Sequence, residues 1–471
     1  MGRLSSLPSA LVTDDSALGG LVVERSLRFT ESSNTYLSRT FTGSSYDKQK
    51  KWTWSAWVKF GNNYNSCLFS GSPNCGGSRT GLYLDNGRLT TDVCGVGAYD
   101  QSVGRYRDTD AWYHIVWRFD TTESTASDRS RIYVNGTQIE MTHPRTWAQN
   151  VGYGIGKNEL HTIGVFSNST TSYEFDGYMA EINFVSELSL DASHFGYTDF
   201  QSKKWRPKKY TGSYNTTGFH LDFLDNSAAT ATTLGKDTSG QGCNWTPNNF
   251  VVSDSVLDAP SNNFATWRVM GTPVSSGFNL KEGNLYCETG ASGSARQLNR
   301  TPMSSYQVNS GKWYMEMYHV YVHTMIGVAP YQIMIPRTST NSRYVMIYND
   351  GNKYVNTNGS ESNTTYATNY AANNVTGILL DMDQTTPVMY VSYNGQWANG
   401  SGAWNQSNPY TSGGAIPLDN TFFRYKNDSA LSDTNGREGY CGFWFASAGG
   451  GTSAKLVANF GPDSTFRGRT S

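Results

Sequence analysis

The sequence predicts an all-β protein, and three observations carry that reading. Short runs alternating apolar and polar residues recur between clusters of Gly, Asn, Asp and Ser, the period of half-buried strands punctuated by turns. Asn-Gly pairs stand between such runs at Asn86-Gly87, Asn135-Gly136 and Asn394-Gly395, and both residue types accept the positive φ of a two-residue hairpin turn. Helical periodicity is almost absent; only Ser189 to Phe195, with Ser and Asp available as caps, reads as a turn of helix.

With 471 residues the chain has room for two or three domains. Aromatic residues make up 14% and net charge is -1, which excludes a disordered chain. The same balance gives no global field, so neither nucleic acid nor an anionic membrane is an expected partner. No apolar run approaches the ~20 residues that span a bilayer. The first residues lack a continuous apolar stretch, so no secretory signal is expected. The six cysteines show no C-x-x-C pair; they are expected as buried thiols, although Cys67 and Cys75 are near enough in sequence to close a short loop.

Residues 1–24 mix Leu, Val and Ala with polar residues and are expected to order only by docking on another component. Residues 25–197 follow with WTWSAWVKF from Trp52, WYHIVWRFD from Trp112, RIYVNGTQI from Arg131 and FDGYMAEINFV from Phe175. In the first of these, Trp52, Trp54 and Ala56 share one face while Thr53, Ser55 and Trp57 share the other, so both faces are expected to be covered, as in a sandwich. The block resembles the laminin-G-like, concanavalin A-like jelly-roll family in the order of its aromatic strand, W-x-H-[IV] strand, Y-V-N-G hairpin and F-D-G-x-x-x-E strand. That resemblance implies two stacked antiparallel sheets with carbohydrate or protein bound through rim loops. Some members bind calcium there, but no residue here matches a calcium signature closely enough to be assigned.

Residues 266–462 repeat this grammar with SGKWYMEMYH from Ser310, IGVAP from Ile326, VTGILLDMDQTTPVMYVSYNGQW from Val375, GFWFASAGG from Gly442 and KLVANFGP from Lys455. They resemble the SPRY family, which implies a second concanavalin A-like sandwich without a catalytic centre; Gln384-Thr385-Thr386 departs from the glycine usual in that turn. Between the blocks, residues 198–265 are too long for a bare linker and are expected to form a structured connector. Residues 463–471 form a C-terminal tail. Nearly the whole chain is similar to virion proteins of marine bacteriophages, through S-L-R-F to Y-L-S-R at Ser26 to Arg39, Trp205 to Tyr214, and the N-W-T-x-N-N-F segment, which has Cys243 before it in place of Asn.

The chemical constellations are weak. Glu174 and Asp176 share strand parity but Glu181 does not, so the paired carboxylates of a glycosidase are not expected. His319 and His323 stand four apart, roughly 13 Å on a strand at ~3.4 Å per residue and too far for one ion. Asp381 and Asp383 read as strand and turn residues. Gly152 to Lys157 lacks the spacing of a phosphate loop. Lys203, Lys204, Arg206, Lys208 and Lys209 around Trp205 read as a solvated face that could also grip an acidic partner.

No enzyme and no cofactor are expected. Stretches rich in Tyr, Ser, Gly and Asn, from Gly61 to Gly81 and from Asn356 to Asn374, have the composition of displayed recognition loops. Tyr64, Asn65, Tyr99, Tyr366 and Tyr370 are therefore the expected ligand-binding residues. Combined with the resemblance, this makes the chain an expected bacteriophage tail-fibre or tail-spike adhesin. It would be synthesised in the host cytoplasm, joined to other virion proteins through residues 1–24, homo-oligomeric, and bound to host surface polysaccharide without cleaving it. A capsid decoration protein is the alternative, and a depolymerase a more remote one.

Overall fold

The computed structural model describes residues 20–61, 65–74, 79–94, 99–142, 147–169, 173–268, 278–289, 302–321, 323–330, 344–357, 360–418, 422, 441–447, 454–463 and 465–470. The chain forms two compact units. Ser6–Asn263, with Lys281–Gly283 and Arg467–Ser471, make the first, and Phe264–Leu280 with Asn284–Phe466 make most of the second.

In the first unit the strands are β1 (Ser26–Phe29), β2 (Tyr36–Thr40), β3 (Lys51–Phe60), β4 (Ser66–Gly71), β5 (Thr80–Asp85), β6 (Arg88–Val93), β7 (Tyr99–Gln101), β8 (Tyr113–Asp120) and β9 (Ser130–Val134). They continue with β10 (Thr137–Gln138), β11 (Leu160–Ile163), β12 (Gly177–Ser186), β13 (Gly196–Thr198), β14 (Trp205–Pro207), β15 (Phe219–Leu221), β16 (Thr246–Asn248) and β17 (Ser255–Val256). One antiparallel sheet runs β10-β9-β8-β3-β12-β1-β17, with β15 also on β12; the other runs β16-β2-β11-β4-β5-β6-β7. The hairpin turns expected at Asn86-Gly87 and Asn135-Gly136 are present, all four residues with φ between 47° and 83°. The expected helical turn is a 3-10 turn at Ala192–His194, capped by Asp191.

Alternation along β3 sends Trp52, Trp54, Ala56, Val58 and Phe60 into the core between the sheets, where they meet Leu68, Phe69, Leu82 and Ile163 from the opposite one. Trp52 lies edge-on to Trp117 at 4.7 Å and stacks on Phe119 at 4.8 Å. Trp57 faces outward and is nonetheless covered, by Val23, Ala180 and Ala259. Cover on that side comes from residues 198–265. These are not a separate connector: they supply β15, β16 and β17 to the first unit's sheets. They also supply Asp258, 2.8 Å from Lys59, and Asp254, 3.2 Å from Arg28, four side chains that are all essentially inaccessible to solvent. Two cations on the outer face of the sheet are buried only because this segment brings the opposite charges.

Residues 1–19 of the expected docking arm lie outside the described residues. Its last residues are held within the unit, Leu21 N–H donating to Pro207 O and Val23 N–H to Ser261 Oγ. The expected tail is likewise tied down: Arg467 pairs with Asp254 and Arg469 with Glu282.

The second unit is also a two-sheet antiparallel sandwich. Its core brings Met315, Ile378 and Met389 of one sheet against Ile326, Val345 and Phe443 of the other. The Asn394-Gly395 turn is again left-handed at both residues.

Candidate functional site

On the second sheet of the first unit, Leu82 and Leu84 of β5 and Leu89 and Val93 of β6 point into the core. The alternate residues therefore project from the outer face, where Tyr83 and Thr90 are buried, Asp85, Asp92 and Gln101 half-buried and Tyr99 exposed. The ladder sets Tyr99 beside Asp92 and Asp92 beside Gly81, and in the neighbouring row Gln101 beside Thr90 and Thr90 beside Tyr83. Tyr99 is 45% exposed. Gln101 Nε2 donates to Asp85 Oδ2 at 3.2 Å and to Thr90 Oγ1 at 3.5 Å, which fixes the amide in the plane of the face.

One side of this face is an aromatic and cationic wall. Tyr83 meets Phe166 at 5.2 Å and Tyr173 at 5.3 Å, both edge-on. The Arg79 guanidinium lies 3.8 Å from the Phe166 ring centre, and its Nη2 donates to Asp92 Oδ2 at 2.7 Å. Its Nε and Nη1 are buried without hydrogen-bond partners, which leaves donor capacity inside the wall. Burial, reinforced by the Asp92 charge, holds the Tyr83 hydroxyl well above the usual phenol range, so it stays neutral. Burial does the same to the Cys67 thiol, which is therefore unreactive.

The face offers aromatic area, carboxylate acceptors and an amide on strands that cannot shift. Asp85 and Asp92 are no catalytic pair: the register puts their backbones about 14 Å apart, whereas glycosidase carboxylates act over roughly 5 to 9.5 Å. Asp176 and Glu181 do not pair either. Asp176 is buried, accepts N–H groups of Glu282 and Gly283, and is pushed up to about 7 by its burial. Glu181 sits in the β12 bulge and holds His220 at 2.8 Å.

Of the expected ligand residues, Tyr99 lies on this face. Asn65 is exposed one residue before β4, where Ser66 pairs with Leu84, and Tyr64 lies outside the described residues. Tyr366 and Tyr370 are corrected. They are 4% and 2% exposed and belong to the core of the second unit, their hydroxyls donating to Gly414 O and Thr324 O. A tyrosine can be buried once its oxygen finds a partner, and composition does not show that partner. The displayed-loop reading fails at Ser66–Gly71, which is a fully buried strand, while Ser360–Thr365 is an exposed strand paired with Asn352–Thr357; residues 62–64, 75–78, 358 and 359 lie outside the described residues. Sequence reasoning missed Gln101, Asp92 and Asp85; the alternation around Asn86-Gly87 was the signal that could have found the last two.

The second unit carries its own aromatic face. On strands Lys312–His319, Val375–Asp381, Val388–Tyr393 and Gln396–Ala398, the ladder groups Tyr314, Glu316, Tyr390 and Trp397 on the side away from the core. Tyr314 donates to Glu316 Oε1 at 2.8 Å and lies 6.1 Å from Trp397. His319 is enclosed between Thr324 and Thr376, and His323 reaches Tyr348, so the two do not converge. Asp381 and Asp383 are engaged by Gln384 and Gly311. Among the described residues no three His, Cys, Asp or Glu side chains gather where a metal ion could sit. No described helix is long and apolar enough to cross a membrane.

Residues 32–192 match the family model described as the concanavalin A-like lectin/glucanases superfamily, of the laminin G type. The first unit is a laminin G-like, concanavalin A-like sandwich. Among solved structures, domains LG4-5 of the mouse laminin alpha1 chain align over 81% of this chain and 78% of theirs, at 10% identity and a TM-score of 0.28. A native heptameric SAP-like pentraxin from Limulus polyphemus aligns over 37% and 81%, at 16% identity and TM-score 0.26. The PSpry domain of TRIM65 aligns over 41% and 91%, at 14% identity and TM-score 0.25. No curated protein matches the chain. The match includes β5, β6 and β7, and hence the outer face that carries Tyr99.

Proposed function

We propose that this chain is a non-catalytic adhesin of a bacteriophage virion, carried at the tail, whose laminin G-like unit holds host surface polysaccharide on the β5–β6–β7 face. The observation behind the reading is the exposed Tyr99 ring ranged beside Asp92 and Gln101 on a lectin-type sandwich. A sugar ring needs an apolar surface for its C–H face and planar polar groups for its hydroxyls, and this row offers both. The bacteriophage assignment rests on the resemblance of Ser26 to Arg39 and Trp205 to Tyr214. Homo-oligomer formation would multiply weak single-site contacts into useful avidity.

Binding of the full chain to host polysaccharide by calorimetry tests the site. Tyr99→Ala and Gln101→Ala are each expected to weaken it about tenfold, about 1.4 kcal/mol, with melting unchanged. Undiminished binding in both variants would move the site elsewhere. Reducing ends released from the polysaccharide would make the chain a depolymerase. Antibody labelling of virions separates tail from head; label at lattice density over the head would make it a decoration protein.

A further inference from the structure

The most exposed large apolar side chain among the described residues is Phe200, at 80%. It stands at the tip of the β13–β14 hairpin, and the tip is closed by its own hydrogen bonds. Asp199 N–H donates to Lys204 O, Lys203 N–H to Asp199 O, and Ser202 N–H to Asp199 Oδ1, while Lys203 takes the left-handed conformation at φ 57°. The stem is anchored by Trp205, whose Nε1 donates to His114 Nδ1 at 2.9 Å and whose ring stacks on that imidazole. The Phe200 ring is thus presented on a rigid support, with the Lys203 ammonium 4.3 Å from its centre. Lys204 is exposed at the same tip, Arg206 and Lys208 are half-exposed along the stem, Lys209 is exposed at its base, and Asp199 is the only acid from Gly196 to Lys209.

We propose that this hairpin is a membrane-touching finger: Phe200 enters the interfacial zone of an anionic bilayer while Lys203 and Lys204 hold its phosphate-bearing headgroups. The near-zero net charge removes a global field but leaves this local one, with five cations in the seven residues 203–209. Charge complementarity selects an anionic partner, and the bare ring selects one that can also cover an apolar group, which a lipid surface does and a soluble polyanion does poorly. An 80% exposed phenylalanine on an ordered tip gains most by being covered.

The test uses the full chain and sedimentation with vesicles of phosphatidylcholine alone or mixed with phosphatidylglycerol. Binding is expected to the mixed vesicles only and to weaken in high salt. Lys203→Ala and Lys204→Ala should each cost about fivefold in partition coefficient. Phe200→Ser should cost about tenfold, with unchanged melting as the control for folding. Phe200→Trp should bind and shift its fluorescence to the blue. Absence of binding to the mixed vesicles at low salt overturns the proposal. So does binding that Phe200→Ser leaves intact, which would mark a purely electrostatic contact such as one with an acidic polymer.

Discussion

Three histidines are buried as neutral rings. His114 lies between Ser55 Oγ and the Trp205 indole, His161 accepts the Gly156 N–H while stacked on Phe41, and His319 lies between two threonines. Burial pushes them down to about 3, about 4 and about 3. Below about pH 6.5 the unfolded chain takes up protons that the folded rings refuse, so stability is complete above that pH and falls as pH drops toward 4. Denaturant midpoints at pH 7 and pH 4.5 check this, and His319→Asn, although less stable at pH 7, is expected to lose less between them. His220 has the opposite sign. Burial opposes its charge, but Glu181, Asp222 and Asp237 outweigh it and raise its affinity for a proton. Its contribution is present below pH 6.5 and lost as pH rises through the raised value, so Glu181→Gln should lower the midpoint at pH 5.5 more than at pH 8.

The Asn-Gly turns were legible because a left-handed pair leaves few alternatives in sequence. The packing around each turn was not. Gly136 carries φ 83° and a Cβ there would stand 2.4 Å from the Trp205 ring, whereas Gly395, at φ 78°, faces open space. Gly395→Ala should therefore cost about 1 kcal/mol of backbone strain. Gly136→Ala adds displacement of the half-buried indole and should cost about 3 kcal/mol, as urea denaturation would show. In the segment after residue 197, GFHLDF at Gly218 to Phe223 reads as a strand and contains β15, whereas β16 and β17 are three and two residues long, too short to show a period. Their attachment is nevertheless firm. Asp258→Ala would strand Lys59 as a buried charge and is expected to destabilise the first unit by about 3 to 5 kcal/mol, measured by the same denaturation.

At the scale of the whole chain, the two-sandwich plan could be read from the repeated strand grammar, whereas the exposed faces depended on which tyrosines find buried acceptors. The expectation of buried thiols holds for four cysteines and fails at Cys94. Cys94 is disulfide-bonded, while Cys67, Cys243, Cys287 and Cys441 are free and buried; Cys75 lies outside the described residues. Spacing in one sequence does not show which sulfurs meet in space. Denatured without reductant, the chain is expected to show four reactive thiols, and with reductant all six. Six thiols without reductant would contradict the bond.

The sheets of the first unit end in short strands: three residues in β7 and β16, two in β10 and β17, with Pro247 inside β16. The longest edge of the second, Ser360–Thr365, carries only polar side chains. At the described edges, an incoming strand would find only short ladders in the first unit and a polar one at Ser360–Thr365. Copies of the chain brought close together would therefore meet through side-chain surfaces and not by backbone pairing at these edges.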